Sequence, residues 1–216
     1  MAIPDSPNWS ALTDIKPYPV PSFPLPLAIP NLVQGTSLGG LFLNDSKGRV
    51  NQRWWVAYPA NGEVMVRGST GSVWGEEQLL FIEPTPIVNL ALSFDQLGRA
   101  IVFYQTQNDL RLYWYDPIAQ QNEVKIMSAG QCPIACFDFP QDTSQGFSDV
   151  ILFYVKDNTI FMRVQRDRFD VEYNTGVTLP NVKLISCGLR VDNRLQVVYE
   201  YPTEELPTPV VQVFLP

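Results

Sequence analysis

Beyond residue 36 the apolar positions recur in one pattern four times. Each instance is an apolar strand, a polar turn and a second strand that ends in an aromatic residue. The first runs over residues 41–49 and then 53–58, and the second over 90–99 and 100–104. The third runs over 134–139 and 150–154, and the fourth over 184–194 and 195–199. The closing tyrosines are Tyr58, Tyr104, Tyr154 and Tyr199, spaced 46, 50 and 45 residues apart. A short turn and a further strand follow each tyrosine, at 63–67, 110–115, 159–164 and 209–214. The first three units add a weaker fourth strand at 77–82, 122–127 and 175–179.

Turn chemistry agrees with this division. Asn61-Gly62, Asn108-Asp109 and Asp157-Asn158 fall between the second and third strands, where hairpin turns favour residues that tolerate positive φ. Asp45 to Gly48 and Asp95 to Gly98 fall between the first and second. Val, Ile, Phe, Tyr and Trp fill the strands, and no window keeps a 3.6-residue period over three turns. A four-stranded meander repeating every 40–50 residues or so is the sequence form of a propeller blade. The fold class predicted is therefore all-β and β-propeller-like, with about four repeated antiparallel sheet units and an extended proline-rich N-terminal arm. The arm covers 1–36. One domain covers 37–216, with units at approximately 37–84, 85–131, 132–180 and 181–216. Runs such as Ala100 to Tyr104 and Val150 to Tyr154 do not alternate because blades pack on both faces. Burying one of their aromatic side chains stabilises by about 2–3 kcal/mol.

The arm holds eight of the nineteen prolines, at 4, 7, 17, 19, 21, 24, 26 and 30. Proline fixes φ and removes an N–H, so extended or polyproline-II backbone is expected there. Apolar residues alternate with the prolines, and Trp9, Leu12, Tyr18, Phe23 and Leu25 are the candidate assembly contacts. Such an arm packs either along its own domain or on a neighbouring subunit. The fourth unit lacks a last strand. Residues 25–33 are placed to supply it as an edge strand that tolerates proline, and otherwise an open edge invites another subunit.

Charge and composition narrow the function classes. Fifteen Lys and Arg against twenty-two Asp and Glu give a net charge of −7, which repels polyanions. General nucleic-acid binding and binding to anionic membranes are disfavoured. The most basic stretch, Arg163 to Arg168, is interleaved with Asp167 and Asp170, and reads as a solvated strand face with cross-strand ion pairs. Cys132, Cys136 and Cys187 are too few and too spread for a disulfide framework or a zinc site, and read as small buried apolar side chains in a reducing compartment. The N-terminus lacks a basic region with an apolar core, and no run of about eighteen apolar residues occurs. A soluble, cytoplasm-made protein without membrane insertion is expected.

The chain has no histidine, which excludes Ser-His-Asp and Cys-His pairs and His-containing metal sites. No phosphate-binding glycine loop occurs. No catalytic, cofactor or metal residues are assigned, and no cofactor is expected. Asp45, Asp95, Asp138 and Asp192 recur at or just after the first strand of a unit, as turn-forming aspartates do. A sialidase-like site needs converging arginines and a Tyr-Glu pair. Arg53, Arg67, Arg99, Arg111 and Arg163 each read as strand-end residues instead. The segment Arg67 to Trp74 is similar to an Asp-box turn, with Ser69 where the Asp belongs. Trp54, Trp55, Tyr113, Trp114 and Tyr115 fall in core strands, so packing takes precedence over sugar stacking.

Residues 148–173 combine an aromatic-ended strand, a tight turn and a strand running into Gln165-Arg166-Asp167-Arg168-Phe169. This tract resembles segments of virion structural proteins of tailed bacteriophages. The resemblance implies a non-enzymatic tail or head–tail connector component that assembles in rings in the host cytoplasm, with other virion proteins and copies of itself as partners. The alternative, from another class, is a carbohydrate-binding or glycosidase-like propeller.

Overall fold

The computed structural model describes residues 37–44, 50–70, 73–95, 98–138, 149–189, 195–202 and 210–214. These residues form sixteen strands in four antiparallel sheets, with one short 3-10 turn at Gln165–Asp167. The first sheet contains β1 (Ser37–Asn44), β2 (Val50–Ala60), β3 (Glu63–Thr70), the two-residue β4 (Val73–Trp74) and β5 (Gln78–Ile82). The second is the meander β6 (Asn89–Phe94), β7 (Ala100–Gln105), β8 (Leu110–Asp116) and β9 (Gln121–Ser128). The third is β10 (Gln131–Asp138), β11 (Asp149–Lys156), β12 (Thr159–Val164) and β13 (Tyr173–Thr178). The fourth is β14 (Lys183–Leu189), β15 (Leu195–Glu200) and β16 (Val210–Phe214). The chain is thus all-β and propeller-like, and the sheets are called blades below. No helix among the described residues is long and apolar enough to cross a membrane.

The blades stack face to face in sequence order. Ala57, Val64, Val66 and Phe81 of the first meet Leu90, Leu92, Phe94, Val102 and Tyr104 of the second. Ile101, Phe103, Leu110, Leu112 and Trp114 of the second meet Val150, Leu152, Tyr154 and Phe169 of the third. Ile151, Phe153, Val155 and Ile160 of the third meet Val182, Leu184, Leu195, Val197 and Tyr199 of the fourth. Period-two alternation explains this division. Along the second strands of the second and third blades, the tyrosine and the residue two before it face the preceding blade, while the residue between them faces the next. Phe103 and Tyr104 are both wholly buried, on opposite faces of one strand. The first strands approach one another in the series β1–β6, β6–β10 and β10–β14, and no equally close approach joins β14 to β1 among the described residues. Burial falls outward: β7 is buried along its centre, whereas β9 alternates between exposed and half-buried.

Two of the expected hairpin turns have positive φ at both central residues: Asn61 and Gly62 at 51° and 82°, and Asp157 and Asn158 at 51° and 60°. The third differs. Asn108 and Asp109 keep negative φ, because the Thr106 hydroxyl accepts hydrogen bonds from both of their backbone N–H groups at 3.4 and 3.1 Å. The Thr106 N–H donates to the Asp109 carbonyl, making a four-residue turn in place of a two-residue one. The arm, including Trp9, Leu12, Tyr18, Phe23, Leu25 and the 25–33 segment, lies outside the described residues, as do Asp45 and Asp192.

Candidate functional site

Much of the polar chemistry among the described residues is gathered around Tyr58, Tyr104 and Tyr154. In the first blade, the Tyr58 hydroxyl on β2 donates to Glu77, which Arg67 of β3 approaches at 3.8 Å. At the boundary of the first and second blades, the Tyr104 hydroxyl donates to Glu83 Oε2 at 2.8 Å. Arg111 Nη1 donates to the same oxygen at 3.0 Å, and Arg111 Nη2 donates to Asp109 at 3.2 Å. The Thr85 backbone N–H completes the ring of donors around Glu83. In the third blade, Tyr154 donates to Glu172 and accepts from Arg163 Nε at 3.0 Å. Arg163 Nη2 and Lys156 Nζ reach the same carboxylate at 3.2 and 2.9 Å.

The electrostatics of these clusters define their chemistry. Burial pushes the Glu83 and Glu172 carboxyls up, but the tyrosine hydroxyls and neighbouring donors outweigh it and hold both below the usual carboxylate range. Burial, reinforced by the adjacent carboxylates, pushes Tyr58 and Tyr154 up to about 12, and Tyr104 rises for the same reasons. A tyrosine nucleophile requires the opposite shift. These phenols are neutral donors to ionised carboxylates, each carboxylate has at least one cation beside it, and each cluster belongs to a separate blade or boundary. Among the described side chains, Arg67, Arg99, Arg111 and Arg163 of the sequence reading do not converge, and that of Arg53 lies outside them. Arg67 also donates to the Gly75 carbonyl at 3.0 Å, and Arg99 folds back on Asp95 at 2.6 Å and over the Tyr115 ring at 4.3 Å. Asp95 accepts the Arg99 backbone N–H at 2.9 Å and its carbonyl accepts that of Gly98, so it is a turn residue.

The basic stretch around Arg163 is not a solvated strand face. After β12 the chain turns through the 3-10 segment and passes through two successive left-handed residues, Arg168 and Phe169, at φ 53° and 57°. This reversal drives the Phe169 ring into the second blade. It meets Phe103 and Trp114 edge-on, with centroids 5.1 and 5.7 Å apart, and is wholly buried. Arg163, itself 7% exposed, donates from Nη1 to the Phe169 carbonyl at 2.6 Å and to that of Asp170 at 3.2 Å. The remaining charges point across the blade boundary: Arg168 pairs with Asp116, and Asp170 with Lys125. Arg166 pairs with Asp149 within the third blade. The Gln-Arg-Asp-Arg-Phe tract is therefore an interblade clamp. Ion pairs across the blade boundary add to the pairs within the third blade, because the reversal moves Arg168 off its own sheet.

Cys132, Cys136 and Cys187 are free thiols, half-buried against the core between the third and fourth blades. The Cys136 and Cys187 thiols hydrogen-bond to one another, and that bond together with burial raises Cys187 well above an ordinary thiol. Among the described residues no three Cys, Asp or Glu side chains gather as a ligand set. Trp114 is buried, Tyr113 is 8% exposed and stacks on Phe81 at 4.4 Å, and Trp55 packs on Phe94 at 5.6 Å, so none offers a free ring face. Trp74 closes the β3–β4 hairpin and packs beside Val56 and Tyr58. Sequence reasoning missed the acids Glu77, Glu83 and Glu172. The usable signal was the spacing: Arg67 and Arg163 both lie nine residues after a repeat tyrosine, and the acids lie 19 and 18 after it.

No protein-family model matches the chain, and no curated protein matches it. Among solved structures it is similar to the fucose-specific lectin from Aleuria aurantia (mercury-derivative form), with TM-score 0.42 and 12% identity over 83% of this chain. The chain spans 62% of that lectin's length. It is also similar to an endo-arabinase from Bacteroides thetaiotaomicron, with TM-score 0.37 and 12% identity over 82% of this chain and 93% of that one.

Proposed function

We propose that the chain is a non-enzymatic assembly module, a structural component of a tailed-phage virion that meets its neighbours along the outer margins of its blades. The supporting observation is the separation of charge from apolar surface. The tyrosine–carboxylate–arginine clusters lie between strands and blades, each carboxylate with at least one cation beside it. Most of the exposed large apolar residues among the described ones lie instead on or beside outermost strands, Ile118 and Ile185 apart. Val124 and Ile126 of β9 are 45% and 63% exposed, and Val171 and Tyr173 at β13 are 44% and 40% exposed. Single exposed apolar residues are ordinary on any surface. Paired ones beside outermost strands are different, because a strand with an open row of backbone donors and acceptors adds readily to a strand of another protein.

The virion assignment, and with it a place in the tail or head–tail connector beside other virion proteins and copies of the chain, rests on the resemblance of residues 148–173. The role of Phe169 as a clamp is consistent with a likeness of architecture that carries no active site. Particles from a producing host, salt-washed and banded on a gradient, are expected to contain the chain at fixed stoichiometry by mass spectrometry. Ile126→Lys is expected to leave the chain folded and lower its incorporation. Particles that band without the chain would sink the proposal. Saturable binding to one glycan class on an array would replace it with a carbohydrate-binding function.

A further inference from the structure

The four blades share one construction, and among the described residues the first has a face with no sheet against it. In the second, third and fourth blades the face bearing the repeat tyrosine packs on the blade before: Val102 and Tyr104, Leu152 and Tyr154, Val197 and Tyr199. The equivalent pair in the first blade is Val56 and Tyr58. Register places Met65, Leu79, Ala60 and Ile82 on the same face, through the pairs Tyr58–Met65, Met65–Leu79, Ala60–Glu63 and Glu63–Ile82. Among the described residues, only this blade's own Ala60, Met65 and Trp74 are packed against Val56 and Tyr58. The inner part of the face is nevertheless closed to water within a single chain, with Val56 1% and Tyr58 3% exposed. Its outer part is open, with Leu79 50% and Ile82 68% exposed.

We propose that the proline-rich residues 1–36 of the same chain lie across this face as a strap, in the place a preceding blade would occupy. The segment ends where β1 of this blade begins, so its attachment is at the right end of the stack. Its length is more than sufficient. The first and fourth strands of a blade are about 15 Å apart, and seven extended residues reach about 23 Å. Its composition fits one-sided contact: prolines prevent a paired sheet, while Trp9, Leu12, Tyr18, Phe23 and Leu25 supply apolar surface. A second copy presenting its fourth blade is a poorer occupant. The free face of that blade carries Val198 and, by register, Val211 and Val213, but Gln196 stands where the packed blades carry Ile101 and Ile151, with Lys183 and Glu200 at its end.

The test keeps the full chain. Leu79→benzoylphenylalanine and, separately, Ile82→benzoylphenylalanine place a photo-crosslinker at exposed positions whose replacement leaves the core intact. Each variant is irradiated as an equal mixture of unlabelled and nitrogen-15-labelled protein, and the crosslinked peptides are sequenced by mass spectrometry. Crosslinks into residues 1–36, with both peptides of one isotopic composition, are expected. Crosslinks that mix the two compositions would assign the face to a second copy and overturn the strap. Crosslinks that avoid residues 1–36, or a face that gives none, would overturn it equally.

Discussion

Removing the Phe169 ring tests the interblade clamp, and the size of the effect follows from its surroundings. The side chain is wholly buried between Phe103 and Trp114. Phe169→Ala therefore loses burial and leaves a cavity, at a cost of about 3–5 kcal/mol. Two edge-on ring contacts are included in that loss, each about 0.5–1.5 kcal/mol. A domain of ordinary stability, about 5–15 kcal/mol, would lose about a fifth or more. The backbone adds a sharper test. Phe169 sits at φ 57°, a region that costs a residue with a Cβ about 1–2 kcal/mol relative to glycine. Phe169→Gly should then be as stable as Phe169→Ala or more so, the reverse of their order in a regular strand. Urea denaturation followed by Trp114 fluorescence measures both, with an unchanged m-value showing that the same unit unfolds. The clamp is refuted if the alanine variant stays within about 1 kcal/mol of the parent. An alanine variant clearly more stable than the glycine one would refute the argument from the left-handed backbone.

Glu83→Gln leaves Arg111 without its main partner and should cost about 2 kcal/mol, below the 3–5 of a fully buried pair, since Arg111 keeps 20% exposure. Adding Arg111→Met should recover part of this in denaturation midpoints. Gly68→Ala should destabilise by about 1–3 kcal/mol, because the new Cβ lies 2.9 Å from the Trp55 ring; calorimetry reads the shift. Stability should also fall at both extremes of pH. Glu83 and Glu172 are held below the ordinary glutamate value of 4.5, so their contribution is complete above about 4.5 and is lost as pH falls through the folded values. Tyr58 and Tyr154 rise from 10.0 to about 12, so theirs is complete below 10 and lost as pH climbs from 10 to 12. Circular dichroism melts across both ranges check the signs.

The fold was legible because the second strands carry its logic. Ala100 to Tyr104 and Val150 to Tyr154 look uniformly apolar, and the structure shows why: one set of alternate side chains fills the boundary behind and the other the boundary ahead. Tyrosine spacing located each strand because the phenol needs a wet or charged end, so it recurs where its carboxylate partner sits. The partners themselves were not legible. Glu83 lies 21 residues before Tyr104 and Glu172 lies 18 after Tyr154, so no local window joins them. The Arg163 to Phe169 stretch was misread because nothing in it signals a reversal. Glycine would mark two successive left-handed residues, but here Arg168 and Phe169 adopt them, held by tertiary contacts that override local preference. At Asn108-Asp109 the error was the opposite kind: residues that tolerate positive φ were present, and a threonine hydroxyl made that conformation unnecessary.

Because the described core of each blade packs on the one before and the one after, the molecule behaves energetically like a short row of coupled elements. Its stability is approximately a sum of terms for single sheets and for the three seams between them. The middle sheets are held by two seams and the end sheets by one, so amide protection should be highest in β7 and β11 and decline toward β15. Damage to one seam, such as loss of the aromatic plug at the second, would divide the row at that point and leave two partial stacks able to rejoin with matching halves from other chains.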